Sequence, residues 1–190
     1  MENGKSIIDM LLVPTPLIRE IFFNRIYEFR STKPNPRIFD CGANIGMATF
    51  FFKSLYPEAS IEAFEADPEL ACILKRNISE NYLANVQVND CALGNKNGVG
   101  EFYPNNNPVL GKMGKPSVGS KPSIPISIRR LSEWIGEGVD FLKLDVEGAE
   151  WEIVKDLYES NVLWKIKEAV VEYHGNTDGE ESRFGEFLSF

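Results

Sequence analysis

The sequence predicts an α/β protein, a doubly wound and mostly parallel sheet with helices on its faces. Three observations predict it. Short apolar runs alternate with segments whose apolar residues recur at helical spacing. A glycine turn, Gly42-Ala43-Asn44-Ile45-Gly46, joins the first run to the first regular helix. Acidic residues then stand where run after run ends: Asp40, Glu65, Asp90, Asp145 and Glu172.

Taken in order, Leu17, Ile18, Ile21, Phe22, Ile26 and Phe29 fall at helical spacing and predict one helix over 17–30. The run Lys33-Pro34-Asn35-Pro36 ends it, and residues 1–36 read as an N-terminal helical cap on a single domain spanning 1–190. A first strand over 37–41 leads through the glycine turn into a helix over 46–55, stopped by Pro57. A second strand covers 61–64. Asp67 then caps a helix that opens on Pro68 and Glu69 and reaches about Tyr82. Residues 86–89 make a third strand. Gly94 to Gly98 reads as a turn between short strands, and 104–125, rich in Pro, Gly, Asn and Ser with lysines but no acid, as a mobile loop. Strand character resumes over 124–128, followed by a short helix over 129–135. A strongly apolar fourth strand covers 139–144, a helix 148–158, a fifth strand 169–173, and a last helix starts near Glu180.

Composition narrows the function. The chain has 190 residues and a net charge of −8, which excludes a broad nucleic-acid footprint, since phosphate binding needs clustered Lys and Arg. Its three cysteines, Cys41, Cys72 and Cys91, show no metal-ligand spacing and read as buried free thiols of a reducing compartment. The apolar patch Ile7 to Val13 contains Asp9, is followed by Pro14 and Pro16, and is too short to span a bilayer. A cytoplasmic location without membrane contact is the expectation.

The glycine turn bears on the ligand. A pyrophosphate wants Gly-x-Gly-x-x-Gly, the middle glycine letting backbone approach the phosphates, and here that place is taken by Asn44. A nucleoside without phosphates fits better, which disfavours NAD(P). S-adenosylmethionine (SAM) is the candidate, its carboxylate directed to the helix N-terminus and its amine and sulfonium to nearby acids. A structural turn or another nucleotide is equally compatible with the turn alone. The acids divide by role. Glu65, with Ala66 behind it, is placed to accept hydrogen bonds from both ribose hydroxyls. Asp90 is placed to accept from the adenine amine beside a wall of Cys91 and Ala92, while Asp40 and Asp145 flank the amine and sulfonium. His174 is the only histidine and a candidate general base, with Glu172 and Glu147 in reserve. No metal ligand is assigned.

Five segments carry a family resemblance: Phe39 to Gly46, Phe64-Glu65-Ala66-Asp67-Pro68, Cys91-Ala92-Leu93-Gly94, Leu142 to Glu150 with its Asp-Val-Glu-Gly-Ala-Glu block, and Val171-Glu172-Tyr173-His174. In that order and spacing they resemble the FkbM-like methyltransferases. The resemblance implies a Rossmann-like class I methyltransferase fold, SAM as cofactor, and O-methylation of a small molecule or sugar. A SAM-binding module without activity is the alternative. That fold ends in an antiparallel hairpin of two strands, and Gly175 to Phe190 leaves room for one helix. The fifth strand is therefore expected to present an apolar edge, Ala169-Val170-Val171, covered by a partner subunit in a homodimer or by a displaced segment.

Overall fold

The computed structural model describes residues 15–105, 112–113, 116, 119–174 and 185. The five strands expected of the main sheet are β1 (Arg37–Cys41), β2 (Ser60–Glu65), β3 (Val86–Asp90), β8 (Phe141–Leu144) and β9 (Ala169–Val171). They are all parallel, in the order β3-β2-β1-β8-β9. Strand order reverses between β1 and β8, where an open α/β sheet leaves a crevice at the carboxyl ends of its strands.

Side-chain alternation builds a core on each face. On one, Ile38, Ile61 and Phe141 meet Phe51 and Phe52 of α2 (Met47–Leu55) together with Ile21, Tyr27 and Phe29 of the N-terminal segment. On the other, Phe39, Phe64, Leu142 and Leu144 meet Ile153 and Leu157 of α4 (Glu150–Glu159). α3 (Pro68–Glu80) starts as its sequence dictates: Asp67 accepts a 2.8 Å hydrogen bond from the Glu69 N–H and Pro68 occupies the first turn. Leu74 and Ile78 pack it on Ala43 and Ala63.

Several expectations need correction. The single helix over 17–30 is instead a turn of α-helix, α1 (Thr15–Ile18), and a π-helical turn over Arg19–Phe23, then irregular chain. Tyr27 and Phe29 are buried although that chain is not helical, because the sheet end, not helix propensity, collects them. The turn at Gly94 to Gly98 does join two short strands, as expected, though the two do not pair with each other. β4 (Ala92–Gly94) and β5 (Gly98–Tyr103) lie on opposite sides of β7 (Ile124–Arg130), and β6 (Lys112–Met113) pairs with β5, giving a second, four-stranded sheet β4-β7-β5-β6. The helix expected over 129–135 is the end of β7 plus a 3₁₀ turn at Leu131–Glu133. Cys41 and Cys91 are buried but Cys72 is exposed, as is Trp164. Among the described residues β9 is the sheet edge, with Ala169 exposed and Val170 and Val171 half-buried. The patch at Ile7–Val13 and the helix near Glu180 lie outside the described residues, as do 106–111, 114–115 and 117–118 of the expected 104–125 loop, whose described part contains β6 and the start of β7.

Candidate active site

The glycine turn sits at the carboxyl end of β1, and its shape comes from packing. A Cβ on Gly42 (φ +78°) would fall 1.7 Å from the Asp145 carbonyl oxygen, so only glycine lets the exits of β1 and β8 touch. A Cβ on Gly46 would fall 2.6 Å from Leu74 of α3. The N–H groups of this turn are all engaged. Gly42 and Ala43 donate to the Phe64 carbonyl at 3.0 and 2.9 Å, and Gly46 to that of Ala43 at 2.9 Å. Asn44, itself left-handed at φ 51°, donates to Glu65 Oε2 at 2.7 Å, and the Ile45 N–H to Asn44 Oδ1 at 2.8 Å. These bonds leave no N–H of the turn itself for the SAM carboxylate expected at the helix N-terminus. These donors cannot cradle a phosphate, and Met47 and Ala48 of the first turn of α2 face the cleft instead.

Glu65 is 8% exposed and accepts from the Asn44 N–H and, at 2.8 Å, from the Asp67 N–H. Burial outweighs these bonds and pushes its pKa up to about 7. A carboxylate has about four lone-pair directions, so two remain for hydroxyl donors.

Lys143 is a lysine inside an otherwise apolar strand, 4% exposed. Its Nζ donates to the Gly42 carbonyl at 2.7 Å and lies 3.3 Å from Asp145 and 3.6 Å from Asp40. Burial alone would lower its pKa, but the two carboxylates hold it above the ordinary lysine value, so it stays charged. Asp40 is therefore not on the cleft wall as expected. It is fully buried, accepting from the Thr49 hydroxyl at 2.6 Å and facing Lys143, and its charge serves the lysine. Asp90 is likewise turned away, held by Lys75 of α3 at the surface, while Cys91 lines the cleft. Burial pushes the Cys91 thiol up to about 11, leaving a neutral wall.

The cleft is open to solvent and holds about 150 Å³ of internal space. Glu65, Lys143, Asp145 and Glu147 supply its polar wall, and the apolar end is formed by Ala66, Leu70, Ala92, Leu93, Phe102 and Met113. Tyr27, Leu17 and Ile21 close it from the N-terminal segment, and burial pushes the Tyr27 hydroxyl up to about 12.

At the exits of β8 and β9, His174 meets three glutamates. Its Nδ1 lies 3.1 Å from Glu150 Oε1, and its Nε2 lies 3.6 Å from both Glu147 and Glu172. Partial burial would lower the imidazole pKa, but the Glu150 hydrogen bond and the charges of Glu147, Glu150 and Asp145 raise it overall. Burial raises Glu147 and Glu172. Asp145, Glu147 and His174 each offer a donor atom within 4.8 Å of the others, a spacing that admits a cation. Backbone placement thus puts Asp40, Glu65, Asp90, Asp145 and Glu172 along one rim of the sheet, while their side chains divide between cleft, lysine and solvent. Sequence reasoning missed Lys143, Tyr27 and Glu150. A lysine within Phe141-Leu142-Lys143-Leu144 was the readable signal, because a charge in a buried strand must be paired.

A parallel five-stranded sheet with a cleft at its switch point places the protein in the Rossmann-like α/β class. The precorrin-6y C5,15-methyltransferase of Geobacter metallireducens shares this fold, with a TM-score of 0.53 at 14% identity over 94% of this chain and 72% of that one. The chain belongs to the FkbM methyltransferase family: the model of the methyltransferase FkbM domain matches residues 40–190. Methyltransferase sdnD of Sordaria araneosa is 31% identical, covering 82% of this chain and 72% of its own length. The 31-O-demethyl-FK506 methyltransferase FkbM of Streptomyces tacrolimicus is 28% identical, covering 86% and 75%. Among the described residues no helix is long and apolar enough to cross a membrane.

Proposed function

We propose that the protein is a SAM-dependent methyltransferase acting on a hydroxyl oxygen of a small molecule or sugar. One observation carries this reading. The cleft joins an acidic wall, Glu65 and Asp145, to a glycine turn whose N–H groups are already spent, which suits a cationic nucleoside and not a pyrophosphate. When bound, SAM supplies a methyl group already activated on a positively charged sulfur, so the protein's task is positioning and proton removal.

Glu65 keeps lone pairs for the ribose hydroxyls, the apolar end from Ala66 to Met113 takes the adenine, and Asp145 faces the positive charge. Lys143 ties Asp145 to the Gly42 carbonyl and so fixes the carboxylate that meets the cation. His174 Nε2 takes the proton of the acceptor hydroxyl, and Glu147 and Glu172, both 3.6 Å away, stabilise the imidazolium that results. Oxygen as the acceptor atom is supported by the Streptomyces relative, whose name places its methyl acceptor in 31-O-demethyl-FK506.

Calorimetric titration with SAM, with its demethylated product and with NAD, followed by transfer of labelled methyl to a panel of hydroxyl-bearing metabolites and sugars, tests the reading. Micromolar SAM affinity with label in an acid- and base-stable ether is expected. Tight NAD binding without SAM binding would overturn it, and SAM binding without transfer to any acceptor would favour the non-catalytic module.

A further inference from the structure

We propose that Glu150 is the positioning residue for His174, holding one ring nitrogen so that the other faces the acceptor side of the cleft. The inference rests on the reading of His174 as base, and its geometry stands apart from that reading. Glu150 is the first residue of α4 and is fully buried. A buried carboxylate is costly unless donors surround it, and here they do. Oε1 accepts from the Val146 N–H at 3.2 Å, from the Gly148 N–H at 3.0 Å and from His174 Nδ1 at 3.1 Å, while Oε2 lies 3.4 Å from the His174 N–H.

These bonds do two things at once. They pin the turn after β8, in which Glu147 (φ 60°) and Gly148 (φ 118°) are both left-handed, and they pin the backbone and ring of His174 after β9. The turn after β8 and the exit of β9 are thereby locked to one carboxylate. The chemistry follows from donor arithmetic. Glu150 takes backbone N–H groups and can act only as an acceptor, so the neutral imidazole carries its hydrogen on Nδ1. The lone pair is then on Nε2, beside Glu147, a cleft-lining residue. Without Glu150 the ring is free to adopt the other tautomer, which has no base to offer on that side.

The charged groups around the ring come from three elements: Glu150 from α4, Asp145 and Glu147 from the turn after β8, and Glu172 from the exit of β9. Of these, Glu150 alone contacts Nδ1 in the described structure. Because His174 is the only histidine, its ring nitrogens can be observed without ambiguity in the intact, ¹⁵N-labelled protein. Above the titration midpoint the Nδ1–H tautomer is expected to predominate. In Glu150→Gln the midpoint is expected to fall by about half a pH unit or more, as the adjacent negative charge is lost, and the tautomer populations to even out. Turnover in that variant should drop about tenfold or more, with the SAM dissociation constant held within about twofold.

A wild-type ring found as the Nε2–H tautomer would overturn the proposal, and that measurement needs no variant to fold. An unchanged midpoint and turnover in Glu150→Gln would reduce Glu150 to a cap for α4 and equally overturn it. His174→Ala separates the two claims. If turnover survives that change, the assignment of His174 as base fails, whereas a lost turnover beside an unaffected Glu150→Gln sinks the positioning role alone.

Discussion

Two ends of one sheet hold buried carboxylates in opposite states. At the amino ends of β1 and β8, Asp140 accepts from the Lys33 ammonium at 3.0 Å, the Lys167 ammonium at 2.6 Å and the Arg37 N–H at 2.9 Å. Burial would raise its pKa, but these donors drive it down to about 2. At the carboxyl ends, Glu65 is buried with two backbone donors and, among the described residues, no cation in contact, and it rises to about 7. Both acids are more than nine-tenths inaccessible. What separates them is whether the fold itself neutralises the charge. The donors around Asp140 serve stability, whereas Glu65 stands to gain from the donors of a ligand.

The sharpest way to break this contrast is His174→Ala. Turnover should fall about a hundredfold while SAM binding holds, and unchanged turnover would remove the rim's catalytic role. Next in size, Asp140→Ala should cost about 2 kcal/mol in chemical denaturation, since it leaves a buried N–H unsatisfied, without altering SAM affinity. The sign for pH follows from the depressed value: Asp140 stabilises fully above its unfolded pKa near 4, and that share is lost as pH falls toward 2. Asp140→Asn should flatten this acid limb.

Glu65 has the reverse sign. Its raised pKa favours the protonated form in the free protein, so folding stability declines as pH rises from about 4.5 through 7. Ribose hydroxyls need the ionised form, so SAM affinity should increase with pH across about 7. Glu65→Gln should lower that affinity about tenfold and abolish its pH dependence, both readable by calorimetry. The smallest expected effect is at Asp90. Its pair with Lys75 is half-exposed, so Asp90→Ala should change stability by less than about 1 kcal/mol and SAM affinity less than twofold. A larger loss of affinity would return Asp90 to the cofactor site.

Much of the sheet was legible because its signals are local. The Asp67-Pro68-Glu69 cap, the Pro57 stop and the apolar runs each specify an element without reference to the rest of the chain, and β1, β2, β3, β8, α2 and α3 fall within a residue or two of their expected bounds. The second sheet was not legible. β4 pairs with β7 some thirty-five positions later (Ala92 with Ile128), and no local period records such a partner. At the site, the rim was predictable from strand ends, but side-chain direction was not. Asp40 lies inside β1 and Asp145 just beyond the end of β8; both meet Lys143, yet only the one past its strand end lines the cleft. Glu150 was overlooked because a glutamate in the first turn of a helix ordinarily serves the helix dipole.

The contact at Gly42 constrains how this protein can change. With the Asp145 carbonyl occupying the volume of a missing methyl, the turn after β1 and the turn after β8 are welded into a single saddle. Neither can drift to suit a new compound without dragging its neighbour. Under the proposed reading, diversification of acceptor choice would come from the walls hung around that saddle, such as the N-terminal arm carrying Leu17, Ile21 and Tyr27.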